Sequence, residues 1–307
     1  MKKKKLLLML MVTVGIIIAG FGAGTLYHWR MIEKKAVVQE DKEASVDMTK
    51  VPFSVFINGM DHGQSLSQKG NSDLNVLVTV NPARSRILIT TISRDAYVPL
   101  AEKKGVEPGG YEALWMTGEF GTRYTRSCLE KLYDTRIPFY VQVNFKGMKA
   151  VVDTLGGVDV YSDESFTCDW GYHYKKGINH VNGKQALGFC RERHAFTDGD
   201  DQRAKNHRYM LEAIFNKVCQ PSSITKYPEL MGLLGENIRT NVGTEQMKAL
   251  AKWQLRSGTK WQVDWSSVQG TSSRKIGGIC GKEIYVQSLK KKSLTKAQQK
   301  IKELSFP

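Results

Sequence analysis

One stretch near the start of the chain restricts the fold more than any other. Leu6 to Trp29 runs 24 residues without an Asp, Glu, Lys or Arg. A helix of that length spans a bilayer. Lys2 to Lys5 form a basic cap over residues 1–5. A secretory signal would be shorter, with an apolar core of about 7–15 residues and a small-residue cleavage site. Ala19 to Gly24 is small and glycine-rich, but the apolar run continues past it to Tyr27 and Trp29. An uncleaved, single-pass transmembrane helix over 6–29 is therefore expected. The far-side basic residues are diluted by Glu33, Glu40 and Asp41, so the lysine cluster favours a cytoplasmic N-terminus. Residues 30–50 are polar without an apolar period and read as a tether. Residues 51–307 read as one extracytoplasmic domain.

The net charge of +15 favours anionic partners. No helix-turn-helix, zinc-finger or RNA-recognition signature is present, and the domain lies outside the cytoplasm, so nucleic acid is not expected. The remaining anions are lipid headgroups, pyrophosphate lipids and wall polymers. Five widely spaced cysteines contain no C-x-x-C, which argues against a zinc ribbon or a redox motif. Disulfides are chemically permitted outside the cytoplasm. Cys190 lies in an apolar run and reads as a buried core residue, and Cys128 is open. Cys219 follows a long helix and Cys280 lies in a glycine-rich loop. A Cys219–Cys280 bridge would pin the C-terminal segment to that helix; the alternative is unpaired thiols.

Arginines cluster at Arg191 to His207, RERHAFTDGDDQRAKNH, where Arg191, Arg193, Arg203 and Lys205 surround Asp198, Asp200 and Asp201. This stretch lies between an apolar run (Ala186, Leu187, Phe189, Cys190) and an amphipathic helix expected over Tyr209 to Val218. Guanidinium forks suit phosphate oxygens, because fixed donors meet several acceptors at once. If the segment is extended, Arg191 and Arg193 project to one face and converge on one anion. The Asp198-Gly199-Asp200 turn signal would then bring Arg203 back toward them. The alternative is a solvated charged helix start with local salt bridges.

The domain opens with apolar strands at Phe53 to Met60, Leu74 to Val80 and Arg86 to Ile92. Asp61 and Asp73 flank the first loop, and Arg94-Asp95 follows the third strand. Carboxylates at strand ends beside a basic residue suit a hydrated divalent cation and a phosphate; ordinary loop acids are the alternative. A helix is expected at Thr122 to Tyr133, a strand at Pro138 to Val143, a helix at Phe145 to Leu155 and a strand at Val158 to Tyr161. That β-α-β order suggests a sheet with helices packed on it. Ser162 to Asn182 reads as loop. Helices at 226–235, 244–255 and Leu294 to Leu304, with strands at Val263 to Trp265 and Ile284 to Val286, complete the expected elements.

Four pieces in order resemble the LytR-CpsA-Psr family of membrane-anchored bacterial cell-envelope proteins. They are Asn58-Gly59-Met60-Asp61 with Asn71-Ser72-Asp73; Ile92-Ser93-Arg94-Asp95 with Tyr97-Val98-Pro99; Val143-Asn144-Phe145 through Val152 to Val160; and Leu187 to Asn206. The resemblance is strongest over 52–218. Three departures stand out: Ser93 for the common Pro, Asn71 for an Arg, and His207 where Gln is frequent.

The resemblance implies a three-layer α-β-α domain with a central mixed sheet behind one N-terminal transmembrane helix. It implies a phosphotransferase that moves a glycopolymer from a polyprenyl-pyrophosphate lipid to peptidoglycan as a phosphodiester. The polymer classes include teichoic acid and capsule, and the cofactor is Mg²⁺ or Mn²⁺. Carried over by residue, Asp61 and Asp73 would hold the metal. Arg94, Arg191, Arg193, Arg203 and His207 would bind the pyrophosphate, and Asp200 would orient the arginines. Asp95 is the candidate to activate the acceptor hydroxyl. Two other readings use the same basic pocket: a non-catalytic envelope sensor, and a phosphatase acting on the pyrophosphate lipid.

Overall fold

The computed structural model describes residues 25–38, 46–60, 69–106, 109–197, 199–218, 220–259 and 261–306. In chain order, α1 (Thr25–Lys35) precedes β1 (Phe53–Met60), β2 (Ser72–Asn81) and β3 (Arg86–Ile92). Short strands β4 (Tyr97–Pro99) and β5 (Tyr111–Ala113) lead into α2 (Leu114–Thr117) and α3 (Thr122–Tyr133). Next come β6 (Phe139–Asn144), α4 (Phe145–Thr154), β7 (Val158–Ser162), β8 (Phe166–Thr167), β9 (His173–Tyr174) and β10 (Gly177–Val181). Then α5 (Gly183–Arg191), α6 (Gly199–Val218), α7 (Tyr227–Asn237), β11 (Ile238–Thr240) and α8 (Thr244–Ser257) follow. The chain closes with β12 (Gln262–Val268), β13 (Gly270–Ile276), β14 (Glu283–Leu289) and α9 (Lys291–Ser305).

The architecture is α/β with a central mixed sheet of order β11-β6-β1-β2-β3-β12. The chain divides into two compact units. A sheet unit comprises Glu43–Val143, Thr240–Val242 and Val263–Pro307; a helical unit comprises the remainder.

In the sheet unit, β1, β2 and β3 form an antiparallel meander, with Val55 opposite Val78 and Val78 opposite Ile89. Almost every residue of β2 from Asn75 onward is buried, so both faces of this strand are covered. The β2–β3 turn is closed by Asn81, whose Oδ1 accepts from Arg84 N at 3.0 Å. Its Nδ2 donates to the carbonyls of Leu304 and Phe306 at 3.0 and 2.8 Å, fixing the end of α9. Along α9, Ala297, Ile301 and Leu304 recur at helical spacing and bury against a core with Phe56, Leu77, Leu88 and Leu129.

In the helical unit, Phe166, Tyr174 and Phe189 stack with centroids 4.7–5.6 Å apart, at the centre of a core with Val158, Val160 and Met210. Asn182 starts α5 with a capping box: its Oδ1 accepts from Gln185 N (3.0 Å), and Gln185 Oε1 accepts from Asn182 N (2.9 Å).

Five expectations are corrected. The β-α-β order does not close on one sheet, because β7 pairs with β10 in a separate two-stranded ribbon. The loop-rich stretch 162–182 contains β8, β9 and β10, of which β8 and β9 pair with each other. Helix α6 begins at Gly199 rather than Tyr209. The tether is helical as far as Lys35, and Ile32, Ala36 and Val37 are buried. Glu33 Oε2 accepts from both Thr244 N (3.2 Å) and Thr244 Oγ1 (2.6 Å), capping α8 in place of the side chain that Gly243 lacks. Finally, Cys280 is a free thiol 3.6 Å from the Lys282 carbonyl, so it forms no disulfide; Cys219 lies outside the described residues.

Among the described residues no helix is long and apolar enough to cross a membrane. Of the expected spanning segment 6–29, residues 6–24 lie outside the described residues, and Thr25 to Trp29 form the start of α1.

Candidate functional site: an acid–arginine pair and an arginine segment

In the sheet unit, the register of β1 with β2 runs Asn58↔Asn75 and Gly59↔Leu74, then jumps to Met60↔Ser72. That register skips Asp73, the extra residue of a β-bulge. Bulges re-aim side chains at strand ends. A buried polar knot holds this one. Asn58 Nδ2 donates to Ser72 Oγ, Ser72 Oγ donates to Asn75 Oδ1 at 2.6 Å, and Asn75 Nδ2 donates to Ser72 O at 2.9 Å. A Cβ on Gly59 would stand 2.6 Å from Leu74 Cβ, so the close approach of the two strands requires glycine there.

Arg94 Nη1 donates to Asp73 Oδ1, and Arg94 Nε lies 3.5 Å from Asp95 Oδ1. The guanidinium covers the Trp115 ring at 5.4 Å, and Trp115 N donates to Arg94 O at 2.8 Å. Side-chain exposures of 21% for Arg94, 10% for Asp73 and 7% for Asp95 make this a desolvated cluster. Ser93, which departs from the family's Pro, shapes the turn with its hydroxyl: Oγ accepts from Asp95 N at 3.2 Å. Asp95 faces Arg94, the geometry of a group that fixes the guanidinium.

Two carboxylates, Asp73 and Asp95, contact the one guanidinium. In the same strand pair, Asn58 Oδ1 is fully buried and has no hydrogen-bond donor among the described residues. Carboxylate and amide oxygens at this strand end are the donor type that suits a hard divalent cation. Asp61, the other expected ligand, lies outside the described residues.

The stretch carrying Asp73 depends on a neighbouring backbone. Gly70 N donates to Gly118 O at 3.0 Å, and a Cβ at Gly118 would stand 2.1 Å from Gly70 O. Gly118→Ala is expected to cost about 1–3 kcal/mol as the backbones part. Gly232, exposed in α7 with open space around it, supplies the contrast. Gly232→Ala is expected to stabilise by about 0.5–1 kcal/mol. Urea midpoints of the two variants against the parent chain check both.

In the helical unit, α5 ends at Arg191, and Glu192 turns the backbone to an extended conformation (φ −63°, ψ 133°). Arg191 and Arg193 are exposed while Glu192, between them, is only 2% exposed. The alternation expected of an extended segment is therefore present at these three residues. Glu192 explains it: one oxygen accepts from Asp169 N at 2.7 Å, the other from Ala195 N at 2.9 Å. The carboxylate thus ties the segment after the arginine pair to the backbone at Asp169. The Arg191 guanidinium lies 5.6 Å from the centroid of the Trp170 ring. Arg193 Nε donates to His194 Nε2 at 3.2 Å, so His194 carries its proton on Nδ1 and donates to Asp169 Oδ2 at 3.1 Å. The Asp169, Glu192 and His194 ligand atoms lie within 4.8 Å of one another. With Arg193 on the imidazole and backbone N–H groups on Glu192, they form a positioning network for the arginines.

Arg203 and His207 are one turn apart on one face of α6, and His207 is buried. Asn206 Nδ2 donates to Phe189 O at 3.2 Å, joining α6 to the end of α5. Asp200 lies in the first turn of α6, and its side chain is outside those described. Cys190, next to Arg191, is buried, and burial pushes its thiol well above the ordinary range; it supplies no thiolate.

Asp73, Arg94 and Asp95 thus meet in the sheet unit, while Arg191, Arg193, Asp200, Arg203 and His207 belong to the helical unit. Glu192 was not among the sequence candidates. An acid between two arginines reads as a solvated neutraliser, and nothing in the sequence marks its burial.

Fold and side chains together define an α/β protein that gathers guanidinium groups at strand and helix ends, the equipment for handling oxyanions. Comparison with known proteins narrows that class. The sequence profile of the LytR_cpsA_psr family matches residues 24–303, and the chain belongs to that family. The Bacillus subtilis protein named polyisoprenyl-teichoic acid–peptidoglycan teichoic acid transferase TagU is 32% identical over 290 residues, covering 91% of this chain and 90% of that protein. The crystal structure of B. subtilis TagV superposes with a TM-score of 0.68 at 28% identity, covering 85% of this chain and all of that one. A structure described as TagT bound to LIIa-WTA has a TM-score of 0.64 at 25% identity, covering 88% and 96%.

Proposed function

We propose that this protein is a membrane-anchored transferase that moves a glycopolymer from a polyprenyl-pyrophosphate lipid to peptidoglycan. The observation that carries the reading is the Glu192-tied pair of exposed guanidinium groups, Arg191 and Arg193, in a chain that aligns with a teichoic acid transferase over 91% of its length. In the reaction, an acceptor hydroxyl of peptidoglycan attacks the phosphorus attached to the glycan. The bond from that phosphorus to the bridging oxygen breaks, polyprenyl phosphate leaves, and the acceptor proton passes to a base or to solvent. The product is a phosphodiester. Such a transfer depends on alignment and charge neutralisation more than on covalent help. Arg191, Arg193, Arg203 and His207 bind the pyrophosphate, and Asp200 orients that set. Arg94, held by Asp73 and Asp95, supplies the remaining guanidinium.

Mg²⁺ or Mn²⁺ would be held by Asp73 and Asp61 and, when bound, would neutralise charge on the pyrophosphate oxygens. The two carboxylates gathered at Arg94 and the unsatisfied Asn58 oxygen support that assignment. The finer architecture belongs to the same reading: three layers, supported by burial of both faces of β2, and a transmembrane helix over 6–29, supported by its uncharged length.

The test incubates the full-length chain with a polyprenyl-pyrophosphate glycan, peptidoglycan and Mg²⁺. Polymer covalently joined to peptidoglycan is expected. Release of free glycan phosphate regardless of acceptor would mark a phosphatase, and binding without turnover a sensor. Asp73→Asn is expected to lower transfer by about 10²–10³-fold, the size of losing one transition-state electrostatic contact. Unchanged turnover in limiting Mg²⁺ would remove Asp73 from the metal site.

A further inference from the structure

Two contacts fix the relative direction of α1 and α8 within the helical unit. Glu33, near the end of α1, accepts from Thr244 at the start of α8. Trp29, four residues earlier on α1, lies under the ammonium group of Lys248, four residues later on α8, at 5.6 Å. Four residues correspond to about 6 Å of helix rise, so the two helices run antiparallel. Continuing the count puts Lys252 level with Thr25. Arg256 lies about 6 Å further, beyond the start of α1. In that direction the sequence continues into Leu6 to Gly24, without a charged residue.

Lys248, Lys252 and Arg256 recur every four residues and form one stripe along α8. Lys252 and Arg256 are exposed. On α1, Arg30 and Lys34 are also exposed, each one residue after Trp29 and Glu33, the two that contact α8. The acids of these two helices are already engaged. Glu33 caps α8, and Glu245 pairs with Lys248 at 2.7 Å. A net basic surface therefore runs along the pair of α1 and α8, and α1 is the helix that Leu6 to Gly24 precede in the sequence.

We propose that this surface, Arg30, Lys34, Lys252 and Arg256, docks on the anionic phospholipid headgroups around the anchor. The inference rests on the reading of residues 6–29 as a membrane anchor. The docked α1 transmits position: because Glu33 and Trp29 join it to α8, the membrane holds the helical unit by a helix pair rather than by a slack tether. Long basic side chains reach headgroup phosphates while their stems stay on the protein.

The full-length chain is reconstituted in nanodiscs of phosphatidylglycerol and, separately, of phosphatidylcholine. Acetylation of Lys252 and Lys34 is followed by peptide mapping, with exposed Lys302 on α9 as the internal reference. In phosphatidylglycerol the two rates are expected to fall roughly tenfold relative to Lys302, the factor that one or two headgroup contacts give. The protection disappears in high salt. Lys252→Glu/Arg256→Glu is expected to enter discs normally, keep its thermal midpoint and lose the protection of Lys34. Equal labelling in both lipids, from chain retained in the discs, overturns docking and leaves the anchor standing. Equal protection by a soluble polyanion added to phosphatidylcholine discs overturns it in favour of a polymer. Failure to enter discs overturns the anchor and the docking together.

Discussion

Arg94→Ala is expected to abolish transfer and to destabilise the sheet unit by about 3–5 kcal/mol, the cost of leaving buried charge without its partner. The guanidinium is the counter-charge that Asp73 and Asp95 share, and both carboxylates are nearly out of solvent. Its loss removes the cation that both carboxylates contact. Arg94→Lys recovers little. One ammonium cannot reach Asp73 with one nitrogen, Asp95 with another and lie flat on Trp115. Thermal unfolding with and without a second change, Asp73→Asn, separates stability from chemistry. The double variant is expected to regain part of the lost midpoint and none of the transfer. A double variant as unstable as the single one would show that the acid pair is not the source of the deficit.

The second large effect is expected at Glu192, which touches no substrate in the proposed reaction. Glu192→Ala removes both acceptors for Asp169 N and Ala195 N and leaves two backbone donors without partners. Each unsatisfied donor costs about 1–3 kcal/mol, so a loss of about 2–6 kcal/mol is expected for the two, and local water entry favours the lower end. Transfer is expected to fall about 10²-fold, because misplacing Arg191 and Arg193 by an ångström has that effect. Glu192→Gln keeps one acceptor oxygen and is expected to recover activity partly. A role as a catalytic acid would predict no recovery in Gln, which has no ionisable proton. The ratio of the two variants is the readout.

Much of the scaffold could be read from the residues. Thr122 to Tyr133 was expected as a helix and is one, because its apolar residues repeat at helical spacing. The three opening strands announce themselves by continuous Val, Leu and Ile bounded by turn residues. Strand β13 does not: GTSSRKI is polar, mostly exposed, and held by pairing with β14 rather than by burial. The start of α6 is hidden for a related reason. GDDQRAKNH shows a turn dipeptide and charges, and its helical state depends on α5 packed beside it, where Asn206 bonds Phe189. At the site, Asp73 and Arg94 were legible as charges at strand ends. Their pairing was not, since it depends on a one-residue offset between two strands.

That offset makes chain length itself a component of the site. Between Met60 and Asn75 the second strand carries one residue more than the first can match, and the surplus residue is the acid that holds Arg94. Shortening the strand by that residue would yield a more regular ladder and a blank cluster. A substitution scan, which changes identity at constant length, does not probe this requirement; insertions and deletions do. Drift in this segment is therefore constrained in two currencies, the residue at position 73 and the count of residues leading to it, and only the second is invisible to a comparison made one column at a time.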